Sequence, residues 1–258
     1  MEIEPVKTKK LSKGKKAAII MAILLPIVAS VAFFFIWDSW GVSDYNHALQ
    51  LAQQKQYAES LEFFERAKPR LSERTLADAI YSMGFAHMKL ENFEEAIAYF
   101  MEAEKMYLSR SDTDQERLAL LYKYVAISHG QMADLDEALV WHVKSMKIWE
   151  TLLDMEELVF AYIQVGNIYA IQEKHEEATE HLVKAYRVCK SELYKGYPDT
   201  EMILNSLRGV YMQILINDES NDKNYLNDFS VNETNGQFWF SEKLEKDFDE
   251  WLAVQLAE

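Results

Sequence analysis

The feature that most constrains this chain is a set of small residues that recurs on helical faces normally filled by large side chains. Gly84, Ala96, Phe100 and Ala103 return as Gly166, Ala178, Leu182 and Ala185 with identical internal spacing. Between them lie Ala126, Ala138, His142 and Ser145, and ahead of them Ala48, Ser60, Phe64 and Ala67. The second position steps from Ser60 to Ala96 to Ala138 to Ala178, at intervals of 36, 42 and 40 residues. Self-similarity at such periods marks a solenoid, in which each unit buries its apolar face on the next. Small residues let helix backbones approach, and neighbouring aromatics such as Phe93 and Tyr99 fill the gap beside them.

Composition agrees with a helical reading. The 258 residues are 49% hydrophobic and 27% charged, with only 8 Gly and 4 Pro, few for a sheet-rich chain with many turns. Apolar residues recur at helical spacing beyond Ser43, so the expected class is all-α. The single Cys189 excludes an internal disulfide framework and argues against a thiolate metal site. Residues 1–16 carry six Lys and two Glu, which leaves the body with 21 basic against 40 acidic side chains. An acidic body repels phosphate backbones, so no nucleic-acid partner is expected.

Lys7, Lys9, Lys10, Lys13, Lys15 and Lys16 precede an uncharged stretch of 21 residues, Ala17–Trp37. About 20 apolar residues cross a bilayer as a helix. The expectation is therefore a basic cytoplasmic tail (1–16) and one transmembrane helix (17–37), with Trp37 and Trp40 at an interface. The positive-inside rule then places the chain as a single-pass protein of the cell (inner) membrane. Its N-terminus would be cytoplasmic and its solenoid periplasmic or extracytoplasmic. The rival reading is a cleaved signal peptide ending at Ser30-Val31-Ala32, although Phe33–Trp37 continue the apolar run past that site.

The region 43–216 resembles the tetratricopeptide repeat family, whose pattern is a Leu-Gly pair, a Tyr, then spaced Ala, Phe and Ala. Val165-Gly166 with Tyr169, Ala178 and Ala185 carry the match, as do Met83-Gly84 with His87, Ala96, Phe100 and Ala103. A second stretch, Gly196–Tyr211, resembles the long-repeat variant of kinesin light chains and bacterial regulators through Gly196, Pro198, Leu204, Asn205, Leu207 and Tyr211. The resemblance implies four to five antiparallel helix pairs in which Gly84 would face Ala96. Arg208 stands where a small residue belongs, so close packing of a following helix is not expected there. Residues 217–240 read as a polar linker, with a glycosylation sequon at Asn232-Glu233-Thr234. Residues 241–258 read as an amphipathic helix with Leu244, Phe248, Trp251, Leu252 and Leu256 on one side.

No phosphate loop, nucleophile elbow or metalloprotease motif is present, so the chain reads as a non-enzyme with no cofactor and no metal. His87 and His129 occupy matching repeat positions, but imidazole replacing a packed aromatic explains them better than a two-His metal site. His142 replaces a Phe in the same way. Glu94-Glu95 and Glu176-Glu177 lie at helix starts, where they suit the dipole.

The resemblance implies that the first helix of each repeat lines a concave groove. By alignment Tyr81, Phe85 and Met88 line it first, then Leu120, Lys123 and Ile127. Phe160, Ile163, Asn167 and Ile171 follow, and Met202 with Asn205 close it. Only Lys123, Asn167 and Asn205 suit an acidic peptide tail, so a largely apolar groove for a partner protein or peptide helix is expected. A basic partner surface would be favoured by charge, and no small-molecule substrate is expected. The final helix either caps the solenoid or fills the groove, with the cap favoured. The function read from the sequence is a membrane-anchored scaffold or adaptor that docks a protein partner in the groove. The alternative is a peptide- or signal-responsive regulator whose curvature change releases a partner, and a metal-binding or enzymatic role ranks below both.

Overall fold

A computed structural model describes residues 40–112, 114–191, 200–217, 229–232, 234 and 236–257, with a few positions between 21 and 28. The regular structure among the described residues is helical apart from one short β-hairpin, and the chain divides into two compact units, 1–90 and 91–258. The first unit holds α1 (residues 40–53), α2 (Tyr57–Ala67), a 3₁₀ turn (Lys68–Arg70) and α3 (Glu73–Lys89). The second holds α4 (Phe93–Leu108), α5 (Gln115–Gln131), α6 (Leu135–Leu152), α7 (Met155–Ile171), α8 (His175–Lys190) and α9 (Thr200–Asn217). Strands β1 (Phe229–Val231) and β2 (Phe238–Phe240) follow, then α10 (Glu242–Ala257).

The repeat is written most plainly in its turns. Lys55, Glu91, Ala133 and Glu173 all have positive φ, and they are spaced 36, 42 and 40 residues apart. After α5 the Ala133 N–H donates to Gly130 O at 3.0 Å and the Asp134 N–H to His129 O at 2.9 Å. The same pair recurs after α7, from Glu173 to Ala170 and from Lys174 to Tyr169. This Schellman closure satisfies the last carbonyls of the first helix and reverses the chain into the second. The helices that open each pair are capped by side chains. Ser72, Asp114 and Asp154 accept from the backbone N–H groups of Thr75, Arg117 and Glu157.

In the second unit α5 pairs with α6 and α7 with α8, and successive pairs stack as a tetratricopeptide-like solenoid. The small-residue rule has a direct geometric cause at Gly166. A Cβ there would lie 2.8 Å from Leu182 Cγ and 3.3 Å from the Ala178 carbonyl, so α7 and α8 touch nearly backbone to backbone. Ser145 occupies another small position and is satisfied inside the core. Its hydroxyl donates to Ala119 O at 2.8 Å and accepts from Trp149 Nε1 at 2.9 Å. Gly84 and Ala96, expected as partners, fall in different units; each is buried.

The expected transmembrane helix, 17–37, lies largely outside the described residues. Among those described, no helix is long and apolar enough to cross a membrane. The expected single-pass location in a cell membrane is corrected on that finding.

The C-terminal region departs from expectation in its hairpin. Part of the 217–240 linker forms an antiparallel hairpin, pairing Phe229 with Phe240, Ser230 with Trp239 and Val231 with Phe238. At Arg208 the following helix is met through charge, without the close backbone approach of the earlier pairs. It donates to Glu245 of α10 at 2.7 Å and to Glu201 at 2.9 Å. Helix α10 buries Leu244, Phe248 and Leu252 and reaches α8 where Arg187 donates to the Gln255 and Leu256 carbonyls. It packs on α8 and β2 and covers the core there, as a cap.

Candidate functional site

The sequence-predicted groove residues fall into distinct environments. In the first unit Met88 is buried, while Tyr81 and Phe85 are half-buried. Phe85 meets Tyr57 edge-on at 6.3 Å, and Lys89 Nζ lies 5.2 Å from its ring centroid. In the second unit Ile163 belongs to the core at 2% exposure, and Leu120 packs against that core. Ile127 is half-buried, whereas Ile171 and Met202 project at 64% and 47% exposure. Asn167 is half-buried.

Lys123 of α5 is the electrostatic centre of this face. Its ammonium donates to both Glu157 carboxylate oxygens, at 2.6 and 2.7 Å, tying α5 to α7. The same ammonium lies 5.4 Å from the Phe160 ring centroid and 5.3 Å from that of Tyr124. Beneath it His142 of α6 is 3% exposed, and its ring is 6.3 Å from Phe160. Burial, and then the Lys123 charge, push the His142 imidazole down to about 4, so it is neutral near pH 7. The aromatic reading of His142 therefore matches its setting: it packs. Glu157 is the member of this cluster that the alignment missed, because carboxylates near helix starts read as dipole partners.

His129 faces a carboxylate. Its Nδ1 lies 3.1 Å from Asp134 Oδ2 at the α5–α6 turn. Among the described residues no group of three or more His, Cys, Asp or Glu could hold a metal ion.

Asn205 is the groove position with the most specific geometry. Its Nδ2 donates to Gly236 O at 3.2 Å, and its Oδ1 accepts from the Phe238 N–H at 2.7 Å. One turn on, Gly209 makes room for Phe238, whose ring Cε2 lies 3.2 Å from where a glycine Cβ would sit. The paired residues Phe229, Val231, Phe238 and Phe240 share one face of the hairpin, and Ser230 and Trp239 share the other, with Trp239 57% exposed. A cavity of about 280 Å³ remains between the hairpin and the helices. It is lined by Ala170 of α7, by Ser206, Gly209, Val210, Met212, Gln213 and Ile216 of α9, and by Phe229 and Phe238. The sequence did carry a signal for the hairpin: Asn235-Gly236 flanked by alternating Phe-Ser-Val and Phe-Trp-Phe.

A second, open cleft of about 990 Å³ lies beside α8 and α10, with Trp251 and Val183 among charged residues. Lys184 and Glu180 on its wall pair with each other at 2.6 Å.

Comparison with known proteins agrees with this architecture. A family model described as tetratricopeptide repeat matches residues 77–109. The transcriptional activator NprA of Geobacillus stearothermophilus is 24% identical over 137 residues, covering 51% of this chain and 33% of that protein. The chain thus spans about a third of that relative's length. Among solved structures, the apo form of RapI superposes with a TM-score of 0.60 at 13% identity, covering 67% of this chain and 64% of that one. BtubC from P. vanneervenii gives 0.57 at 11% identity, covering 79% and 85%. A putative kinesin light chain from Podosopora anserina with nearly identical TPR-like repeats gives 0.57 at 13% identity, covering 85% and 96%. At these identities the structural likeness is one of fold.

Proposed function

We propose that this chain is a non-enzymatic docking protein of regulatory type, whose α5–α7–α9 face in the second unit receives a peptide or an extended segment of a partner. The observation that carries this reading is Asn205, which already grips a polypeptide main chain on that face through two hydrogen bonds. The similarity to a protein named as a transcriptional activator favours a regulator over a static scaffold. In the regulatory form, peptide binding changes the stacking of the helix pairs and with it the engagement of a second protein. In the scaffold form, the partner is held without such a change. The proposed docking residues are Lys123, Phe160, Asn167, Ile171, Met202 and Asn205. In the first unit, Tyr81 and Phe85 are proposed as docking residues of their own face.

The test is selection of random displayed peptides on the purified chain, followed by affinity measurement on the enriched sequences. Ile171→Glu with Met202→Glu alters exposed positions and should leave folding intact. The expected result is binding that weakens about ten-fold or more in the double variant, with an unchanged melting curve. Failure of any peptide to enrich, or affinities indifferent to the double variant, would overturn the reading. X-ray scattering of the complex separates the two forms, since only the regulatory one requires a change in compactness on binding.

A further inference from the structure

Resting on that docking reading, we infer that Asn205 and Gly209 form a subsite for an extended main chain bearing an aromatic side chain, and that Gly236–Phe238 of this chain are its internal, competing occupant. The outside ligand is an extended peptide with Trp or Tyr at the position Phe238 now fills.

Four observations lead there. Both Asn205 bonds go to backbone atoms, the carbonyl of Gly236 and the N–H of Phe238, which flank a single residue. An amide used in this way reads an extended main chain and is indifferent to side-chain identity, so a foreign segment satisfies it equally well. Gly209 then supplies the side-chain preference. A glycine inside a helix is costly, and this one is accounted for by the flat ring that lies against it, since a Cβ would meet Phe238 at 3.2 Å.

Third, Phe238 leaves the subsite incompletely filled. The cavity of about 280 Å³ beside its ring has room for a larger aromatic group. Gln213 lines that cavity, and its Oε1 is buried without a hydrogen-bond partner among the described residues. A phenylalanine has no donor to offer it. The indole N–H of Trp or the hydroxyl of Tyr does, and satisfying a buried acceptor favours such a ligand over the resident ring.

Fourth, the resident belongs to a short element. A two-stranded hairpin with three-residue strands is marginal without support. Its other anchor, Phe240, packs on Phe248 at 5.9 Å and on Tyr211 at 6.5 Å, clear of the Asn205 clamp. Gly236–Phe238 can therefore lift while Phe240 stays on the cap. The affinity for an outside peptide is then reduced by the fraction of molecules in which the subsite is self-occupied.

The probe is a synthetic acetylated peptide of residues 229–240 carrying Trp in place of Phe238, added to the full chain. The expected result is that Phe238→Ala binds it about ten-fold tighter than the unaltered chain, and that adding Asn205→Ala abolishes the gain. Hydrogen exchange on the unaltered chain provides a readout that needs no variant: saturating peptide should deprotect the Phe238 amide while the α9 amides stay protected. Equal affinity of Phe238→Ala and the unaltered chain, with no deprotection of the Phe238 amide, would overturn the inference and make the hairpin a fixed part of the fold. A gain that survives Asn205→Ala would also overturn it, by placing the subsite elsewhere. The docking reading has its own separate test, peptides sensitive to Ile171→Glu with Met202→Glu, so failure of the one is distinguishable from failure of the other.

Discussion

Arg208 of α9 and Glu245 of α10 meet at 2.7 Å, and the guanidinium also covers the Phe248 ring at 5.5 Å from its centroid. The Arg208 side chain is 12% exposed and is shared with Glu201. This pair stands where the repeat would otherwise place a small residue, so the last crossing is held by a charge and an aromatic ring. Arg208→Ala should loosen α10 at a cost of about 1–3 kcal/mol, because it strands Glu245 and uncovers Phe248. Phe248→Ala should cost more, about 3–5 kcal/mol. Chemical denaturation read by Trp251 fluorescence checks both, with α10 expected to come away first in each variant.

Acid should destabilise the second unit through His142. Its folded value of about 4 lies below the ordinary 6.5, so between those values the unfolded chain binds more protons than the folded one. The stability present above pH 6.5 is therefore lost progressively down to about pH 4. A shift of this size corresponds to about 3 kcal/mol over that window. His142→Phe restores the aromatic shape without the titration and should flatten this part of the profile. Urea unfolding at a series of pH values gives the comparison.

Lys123 acts on the same imidazole. Lys123→Ala removes the second cause of the His142 depression, so an NMR titration should show the His142 value moving up toward 6.5. The variant also leaves Glu157 without its 2.6 Å partner at the α5–α7 crossing. A stability loss of about 1.5–3 kcal/mol is expected, as for a charged hydrogen bond that is partly buried.

Gly166→Ala should be destabilising although alanine favours helices. The added methyl would sit 2.8 Å from Leu182 Cγ and 3.3 Å from the Ala178 carbonyl, and a carbonyl oxygen cannot rotate away. Overpacking of this kind costs about 1–3 kcal/mol. Gly166→Ala with Leu182→Ala should recover part of the loss of the crossing geometry, and a double-mutant cycle measures the coupling.

The inter-helix turns offer the opposite sign. Ala133 and Glu173 have φ of 60°, a region that costs an L-residue strain. Ala133→Gly and Glu173→Gly should each be neutral to stabilising by up to about 1 kcal/mol, since relief of strain outweighs the added freedom of the unfolded chain. Thermal melts of the single and double variants, which are remote enough to add, decide it.

The sequence by itself determined the helical class, the helix-pair period and the character of its crossings. These are short-range matters: apolar residues 3.6 apart, a capping Ser or Asp, and a small side chain where backbones nearly touch. Each is written within a few residues of where it acts, which is why Gly166, Ala178 and Ala185 could be read directly. The groove was only partly legible. Alignment singled out Lys123, Asn205, Ile171 and Met202 together with Ile163, and could not tell that Ile163 packs inward while Ile171 and Met202 project. Nor could it pair Lys123 with Glu157, 34 residues away. Only the tertiary structure decided what meets α9. Residues 229–240 read as polar linker because three-residue strands are too short for periodicity to register. What orders them is contact with Asn205, Gly209 and Phe248, far off in the sequence. The same holds for Arg208, which breaks the local rule of the repeat and is satisfied only by carboxylates that folding brings to it.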